Sequence, residues 1–477
     1  MLTIIVFGGS GHVAKTMIYP ALFLLYARQL LPSNSKIIGF ARSDLSREDF
    51  EMRVVSRVSK ESFPFYTNDT ITAFVEHCVY FRGSYTDENS FVKLNDYIKG
   101  FEAENLSSRA KRIFYLGIPP SLIKSVSMAL AKLDQNLNGD NRLIIEKPVG
   151  DSLESARDLL EHIRSVWPIE NTYKVDHYLG MEMFDALLMM RFANPLFANV
   201  WTSEFVESIH VTLREQASCE GRSGYYDSSG VLRDNVQNHL LQLLCSVAMD
   251  EPKSLEQSDV AAAKIAFLRS IRPLEEKDLL LGQYIKSKDR QTVGYRELEG
   301  VAKDSNTPTF AVCQLHVDND RWKGVPIVIS SGKGLKDSFC EVRIVFKNRE
   351  NGLFRNKPNM YNRFIAQIFP RMIASFELNV KEPGFTFMMT KVASTMDYQQ
   401  SFSRGNMPLP YERVLWDVIN SSHSHFVTDE EILLEWQIVD KVLDLPNKKP
   451  PLPYQFGSDC GPRAVEDFMK ERNMSWD

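Results

Sequence analysis

No cysteine of this chain has a partner at C-x-x-C spacing, and the six present (Cys78, Cys219, Cys245, Cys313, Cys340, Cys460) are scattered over 477 residues. That excludes a zinc ribbon and, in so long a chain, predicts reduced thiols in a reducing compartment rather than a disulfide framework. Charge of one sign is lacking too: 56 Lys+Arg against 61 Asp+Glu leaves −5. A nucleic-acid backbone or an anionic membrane surface finds no basic surplus, so neither is expected as a partner. No window reaches the ~18–20 apolar residues of a membrane span. The richest stretch, 18–27, contains Pro20 and reads as a buried helix. Met1 is followed at once by Leu2-Thr3-Ile4-Ile5-Val6-Phe7 with no basic stretch, so no secretory leader is expected and the predicted compartment is the cytoplasm. Neither an internal repeat nor a low-complexity segment occurs. What remains, 44% apolar and 25% charged, is the balance of a folded globular protein.

At roughly 100–200 residues per domain, the length implies two to four domains. Short apolar runs at 2–7, 36–41, 78–81, 112–117, 142–146 and 173–175 alternate with helical patterns such as 121–133 and 152–166. Strand, helix, strand, repeated, predicts a parallel sheet covered on both faces. Beyond about residue 180 the grammar changes. Helices are expected at 183–191 and 232–247, and strands at 208–213, 310–317, 326–330, 341–346, 364–369 and 375–380, several alternating in polarity. Such alternation predicts a mainly antiparallel sheet. The Pro-rich stretch 446–453 reads as a turn and extension. The expected fold class is α/β followed by α+β: a Rossmann-type domain over 1–176 and a larger domain over 177–477.

Gly8-Gly9-Ser10-Gly11 follows the first strand, and Ala14 opens the helix after it. Glycines there let the backbone approach a pyrophosphate at a helix N-terminus, although such a run also serves as a plain turn. The second strand ends in Arg42-Ser43, where an NAD site usually carries an acidic residue. A cation and a hydroxyl suit a 2′-phosphate, hence NADP; Asp44 just beyond could weaken that preference, and Arg42 also reads as a surface arginine. Further on stand Glu146-Lys147-Pro148, Asp176-His177-Tyr178-Leu179-Gly180 and a run from Arg233-Asp234 to His239. Removing a hydroxyl proton during hydride transfer needs a base, which His239 with Asp176 as carboxylate partner could supply. Either histidine reads equally as a buried, hydrogen-bonded core residue. No metal site is expected.

These runs, with Arg191-Phe192-Ala193-Asn194, Glu220-Gly221-Arg222, Gly224-Tyr225-Tyr226-Asp227, Asp318-Asn319-Asp320-Arg321-Trp322, Gly332-Lys333 and Pro453-Tyr454, closely resemble the glucose-6-phosphate dehydrogenase family over essentially the whole chain. The resemblance implies a Rossmann domain plus a large antiparallel-sheet domain, usually in a homodimer. It also implies oxidation of a hexose C1 hydroxyl with NADP to a 1,5-lactone. Matched position by position, His239 resembles the general base and Asp176 its partner. Lys147 resembles the residue between sugar and nicotinamide, Glu215 and Asp234 the sugar-binding carboxylates, and Lys333 a substrate-side lysine. His177 and Tyr178 resemble contacts to the substrate phosphate.

Several positions depart from the family. Met181 and Ser338 stand where basic residues face the substrate, Lys381 where a sugar-contacting glutamine is expected, and Lys15-Thr16-Met17 where three lysines are usual. Losing two charge-assisted contacts costs roughly 3–6 kcal/mol, so the departures predict a weakened phosphate grip and activity on unphosphorylated glucose. The alternatives are an ordinary glucose-6-phosphate 1-dehydrogenase and a catalytically silent NADP-binding relative. Some members also hold a second, structural NADP. With Ser330, Phe339 and Asn379 at its basic positions and Arg343 retained, that site is expected to be absent or weak.

Overall fold

The computed structural model describes residues 1–58, 66–103, 110–134, 140–289, 291–348, 353, 361–402, 407–472 and 474. The chain forms two compact units. One comprises Met1–Gly150, Glu154–Gly180 and Pro408–Asp429; the other comprises Asp151–Leu153, Met181–Met407 and Glu430–Asp477. This division differs from a single cut at 176/177, because a late segment returns to the first unit. There Tyr411, Val414, Leu415, Val418 and Phe426 join the same apolar core as Leu22, Leu25 and Ile113.

In the first unit six parallel strands, β1 (Leu2–Phe7), β2 (Ser35–Ala41), β3 (Cys78–Arg82), β4 (Lys111–Leu116), β5 (Asp140–Glu146) and β6 (Thr172–Val175), lie in the order β3-β2-β1-β4-β5-β6. This is the strand order of a Rossmann fold. All six residues of β1 are buried, which is why the strand reads as an unbroken apolar run. Phe7 packs with Phe40 and Phe91, and burying such a ring contributes about 1.5–3 kcal/mol.

Among the described residues the second unit is built on nine strands: β7 (Val206–Arg214), β8 (Leu279–Ile285), β9 (Phe310–Leu315), β10 (Ile327–Gly332), β11 (Phe339–Phe346), β12 (Arg363–Phe369), β13 (Ile373–Lys381), β14 (Met389–Asp397) and β15 (Leu452–Gln455). Their order is β14-β13-β12-β11-β7-β10-β9-β8-β15. Among the described residues only β7–β10 and β8–β15 pair in parallel, so the sheet is mainly antiparallel as expected. Cys340, Val342 and Ile344 of β11 turn into the core, while Glu341 and Arg343 face the other way. Strands β8, β14 and β15 were not among the expected strands. β8 opens Leu-Leu-Leu-Gly without alternation, and nine residues of β14 are held by pairing with β13 rather than by burial.

The helix expected over 232–247 is present but is not uniform. Leu232–Leu240 is π-helical and Leu241–Ala248 α-helical. In the wide turn the Asn238 carboxamide donates to the Arg233 carbonyl (2.9 Å) and accepts from the His239 amide (2.8 Å). A second π-turn, Ala14–Ile18, follows the glycine run. Such turns are rare and often mark functional positions. Among the described residues no helix is long and apolar enough to cross a membrane.

Candidate active site

The glycine run turns tightly at the carboxyl end of β1. Gly8 has φ +82°, and a Cβ there would lie 2.1 Å from the Gly117 carbonyl oxygen. A Cβ on Gly9 would lie 2.6 Å from Gly39 Cα, so neither position accepts a side chain. The amides of Gly8 and Gly9 both donate to the Phe40 carbonyl, at 3.0 and 3.1 Å, which staples the turn to the end of β2. Ser10 Oγ lies 3.0 Å from Ser43 Oγ, and Arg53 donates to the Ser10 carbonyl at 3.0 Å. Arg42 is exposed, its guanidinium 5.8 Å from the Tyr85 ring. Asp44 is paired with Arg82 at 3.0 Å.

A second group in the same unit gathers at the carboxyl ends of β4, β5 and β6, where open α/β sheets place their ligands. Tyr115 donates to the Glu146 carboxylate. Burial holds the Glu146 carboxyl above its usual pKa, outweighing the hydrogen bonds from Tyr115 and Tyr411 and the charge of Lys147. Asp176 is buried and Oδ1 accepts from the Tyr178 amide at 3.0 Å, which folds the chain back after β6. The His177 ring stacks on Tyr411, centroids 5.5 Å apart and planes 14° apart. Lys147, Asp176, His177 and Tyr178 are thus carried by consecutive strand ends, with Tyr411 supplied by the returning segment.

In the second unit, Glu215 follows β7, Lys333 follows β10, and Asp234 lies on the π-turn. Lys333 Nζ is 2.6 Å from Glu215 Oε2 and 3.4 Å from Asp234 Oδ2. Burial alone would depress the ammonium, but the two carboxylates and the Glu215 hydrogen bond hold its pKa above the usual lysine value. The Lys333 carbonyl accepts from Tyr454 at 2.6 Å, and Asn235 donates to Glu215 at 3.2 Å and to Ser331 at 2.9 Å. His239 is buried on the same turn. Two carboxylates around one ammonium offer charged acceptors and a donor within a few ångströms, a set suited to binding several hydroxyls.

Two family models together match nearly all of the chain. One, described as the NAD binding domain of glucose-6-phosphate dehydrogenase, matches residues 5–185, and the C-terminal domain of the same enzyme matches 188–477. The chain belongs to the glucose-6-phosphate dehydrogenase family. It is 42% identical to a glucose-6-phosphate 1-dehydrogenase of Schizosaccharomyces pombe, covering 100% of both chains. It is 36% identical to that of Dictyostelium discoideum, over 99% of this chain and 94% of the relative. A solved glucose-6-phosphate dehydrogenase in complex with glucose-6-phosphate matches with TM-score 0.92 at 33% identity, over 100% of this chain and 98% of the other.

The glucose-6-phosphate dehydrogenase family uses NADP, and the glycine turn fits that group. Gly8 and Gly9 let the turn pack directly on the backbone of Gly117 and Gly39, which keeps the strand-to-helix turn tight, and Arg42 and Ser43 at the end of β2 offer a cation and a hydroxyl of the kind that suits a 2′-phosphate. The departures have definite surroundings. Met181 starts the helix Glu182–Phe192, whose first turn is acidic. Ser338 Oγ accepts from the Gln216 amide at 2.8 Å. Lys336 is paired with Asp459 at 2.9 Å, and Lys381 donates to the carbonyls of Glu382 and Gly384. Tyr115, Tyr411, Asn235 and Ser331 were not singled out from sequence. Asn235 alone carried a signal, being next to Asp234.

Proposed function

We propose that this protein oxidises the C1 hydroxyl of glucose 6-phosphate to the 1,5-lactone with NADP. The observation that carries the reading is the full-length likeness to glucose-6-phosphate 1-dehydrogenases, at 42% identity over both entire chains. His239 takes the hydroxyl proton as the C1 hydride leaves, and Asp176 serves as its carboxylate partner, roles carried over by matching position. Glu215, Asp234 and Lys333 bind ring hydroxyls, His177 and Tyr178 the phosphate, and Lys147 stands between sugar and nicotinamide. Gly8, Gly9, Ser10, Gly11, Arg42 and Ser43 hold the cofactor, which when bound supplies the hydride acceptor. Six free cysteines, five of them buried, support the expected reducing compartment, the cytoplasm.

The expectation of activity on free glucose becomes the second reading. It is favoured by Met181, by the engaged hydroxyl of Ser338 and by the pairing of Lys336 with Asp459. Absorbance of NADPH with each sugar separates the two. Higher kcat/KM on glucose 6-phosphate supports the proposal, and higher kcat/KM on glucose overturns it. No turnover on either sugar with NADP still bound would mark a silent relative. We further propose that a second copy of the chain covers β13 and β14, whose Leu378, Val380, Val392 and Met396 are exposed.

A further inference from the structure

We infer that Asn235 is a positioning residue for sugar recognition, acting through Glu215; this rests on the proposed role of Glu215 as a sugar ligand. Asn235 is 5% exposed and sits on the π-turn between Asp234 and His239. A carboxylate only accepts hydrogen bonds, so the end of the amide facing Glu215 must be its NH2 group. That one nitrogen lies 3.2 Å from Glu215 Oε2 and 2.9 Å from Ser331 Oγ, which spends its two hydrogens on the end of β7 and on β10.

Glu215 Oε2 therefore takes two donors, the Asn235 amide and the Lys333 ammonium at 2.6 Å. Among the described residues Oε1 has no hydrogen-bond partner, and the side chain is 31% exposed. Lys333 could not fix the carboxylate plane alone. Its ammonium is a point charge on a flexible stem and is shared with Asp234 at 3.4 Å. Asn235 is short, buried and anchored by Ser331, so it adds a second direction of constraint. Oε1 is then left as the acceptor that a ring hydroxyl meets, already oriented. Pre-orientation of this kind lowers the ordering cost of binding and should appear in the affinity for the sugar.

The test is steady-state kinetics of the full-length protein with saturating NADP and glucose 6-phosphate, or glucose if that is the sugar turned over. The variants are Asn235→Ala, Glu215→Ala and the double variant. Asn235→Ala should raise the sugar KM roughly tenfold while leaving the NADP KM unchanged. In the Glu215→Ala background the same change should cost less than about twofold, because the residue it acts through is gone. Asn235→Asp, nearly isosteric, provides a second measurement if the alanine variant folds poorly. It sets a second carboxylate against Glu215, so the acidic limb of kcat/KM should move to higher pH. An unmoved limb would show that residue 235 does not act through Glu215 and would overturn the inference. Equal losses from Asn235→Ala with and without Glu215 overturn the inference while leaving the sugar role of Glu215 intact. An unchanged sugar KM in Glu215→Ala overturns that role, and the inference with it.

Discussion

The hydroxyls of Ser10 and Ser43 stand 3.0 Å apart, tying the glycine turn to the residue after Arg42. The contact links the proposed cofactor turn to the end of β2, where Arg42 is proposed to meet the 2′-phosphate. Asp44, next in sequence after Ser43, is paired with Arg82 at 3.0 Å. Arg42→Ala should raise the KM for NADP roughly ten- to hundredfold, the loss of a charge-assisted phosphate contact, with little change for NAD. Comparing kcat/KM for the two cofactors measures this. Equal losses for both would show that Arg42 does not read the 2′-phosphate. Arg82→Ala, which releases Asp44, should weaken NADP preference by a smaller factor, as expected for an exposed pair.

His239→Asn should remove most turnover, about 10²–10⁴-fold, because general-base help to the leaving proton is lost. NADP affinity, measured by titration, should stay nearly unchanged, since His239 is proposed to act on the sugar. A variant keeping more than about a tenth of the wild-type rate would mean that another group takes the proton.

Much of the first sheet was legible because its strands are buried on both faces, which leaves apolar runs between polar helices. Observed β1, Leu2–Phe7, coincides with the expectation, and the other five strands shift by at most two residues. Strands β14 and β15 were illegible for the opposite reason. Their extended form comes from cross-strand pairing, as Leu378 opposite Val392 illustrates, and not from their own pattern. The return of 408–429 to the first core was also hidden: an amphipathic helix announces an apolar face but not which core receives it. At the site, residue types were readable and their bridges were not. Asn235 meets Ser331 only because the register of β10 on β7 sets Ser331 beside Leu213.

His210 gives stability a pH dependence with a definite sign. Burial, reinforced by Arg343 and Arg363, pushes its pKa down from 6.5 to about 4. The folded protein keeps the ring neutral while the unfolded chain takes up a proton near 6.5, so the unfolded state binds more protons between those values. The contribution is complete above pH 6.5 and is lost as pH falls towards about 4. Melting temperature against pH should therefore slope less steeply over that window in His210→Gln than in the wild type. Carboxylates titrating there are common to both proteins, so coincident slopes would count against this account.

A cavity of about 770 Å³ brings Arg214, Arg343 and Arg363 together beside Phe339, where Arg343 alone had been counted as a retained cation. Each already has a carboxylate: Asp337 at 3.6 Å, Glu341 at 3.0 Å and Glu377 at 3.2 Å. A dinucleotide phosphate would have to displace these pairs to gain a grip. We expect calorimetric titration to give one NADP per chain; a second equivalent would show that the pairs open for it.

The edge hairpin supplies the remaining prediction. On one face of β13 and β14, Leu378 and Val392 are paired across the strands and are 45% and 49% exposed. Val380 and Met396 continue the same face. On the opposite face Glu377 pairs with Arg363 and Lys391, whereas the face of Leu378 and Val392 carries no charged side chain on either strand, only Thr390 and Ser394 among its apolar residues. Clustered exposed apolar side chains of this kind mark interaction surfaces, and a two-fold axis lets one such face cover its own copy. Leu378→Lys with Val392→Glu tests this. The new charges face each other within the hairpin and preserve it, whereas an interface would have to desolvate them. Sedimentation should give the wild type twice the 54.7 kDa chain mass and the double variant a single chain. A monomeric wild type, or a variant that still dimerises at the same concentration, would show that this face is not where two copies meet.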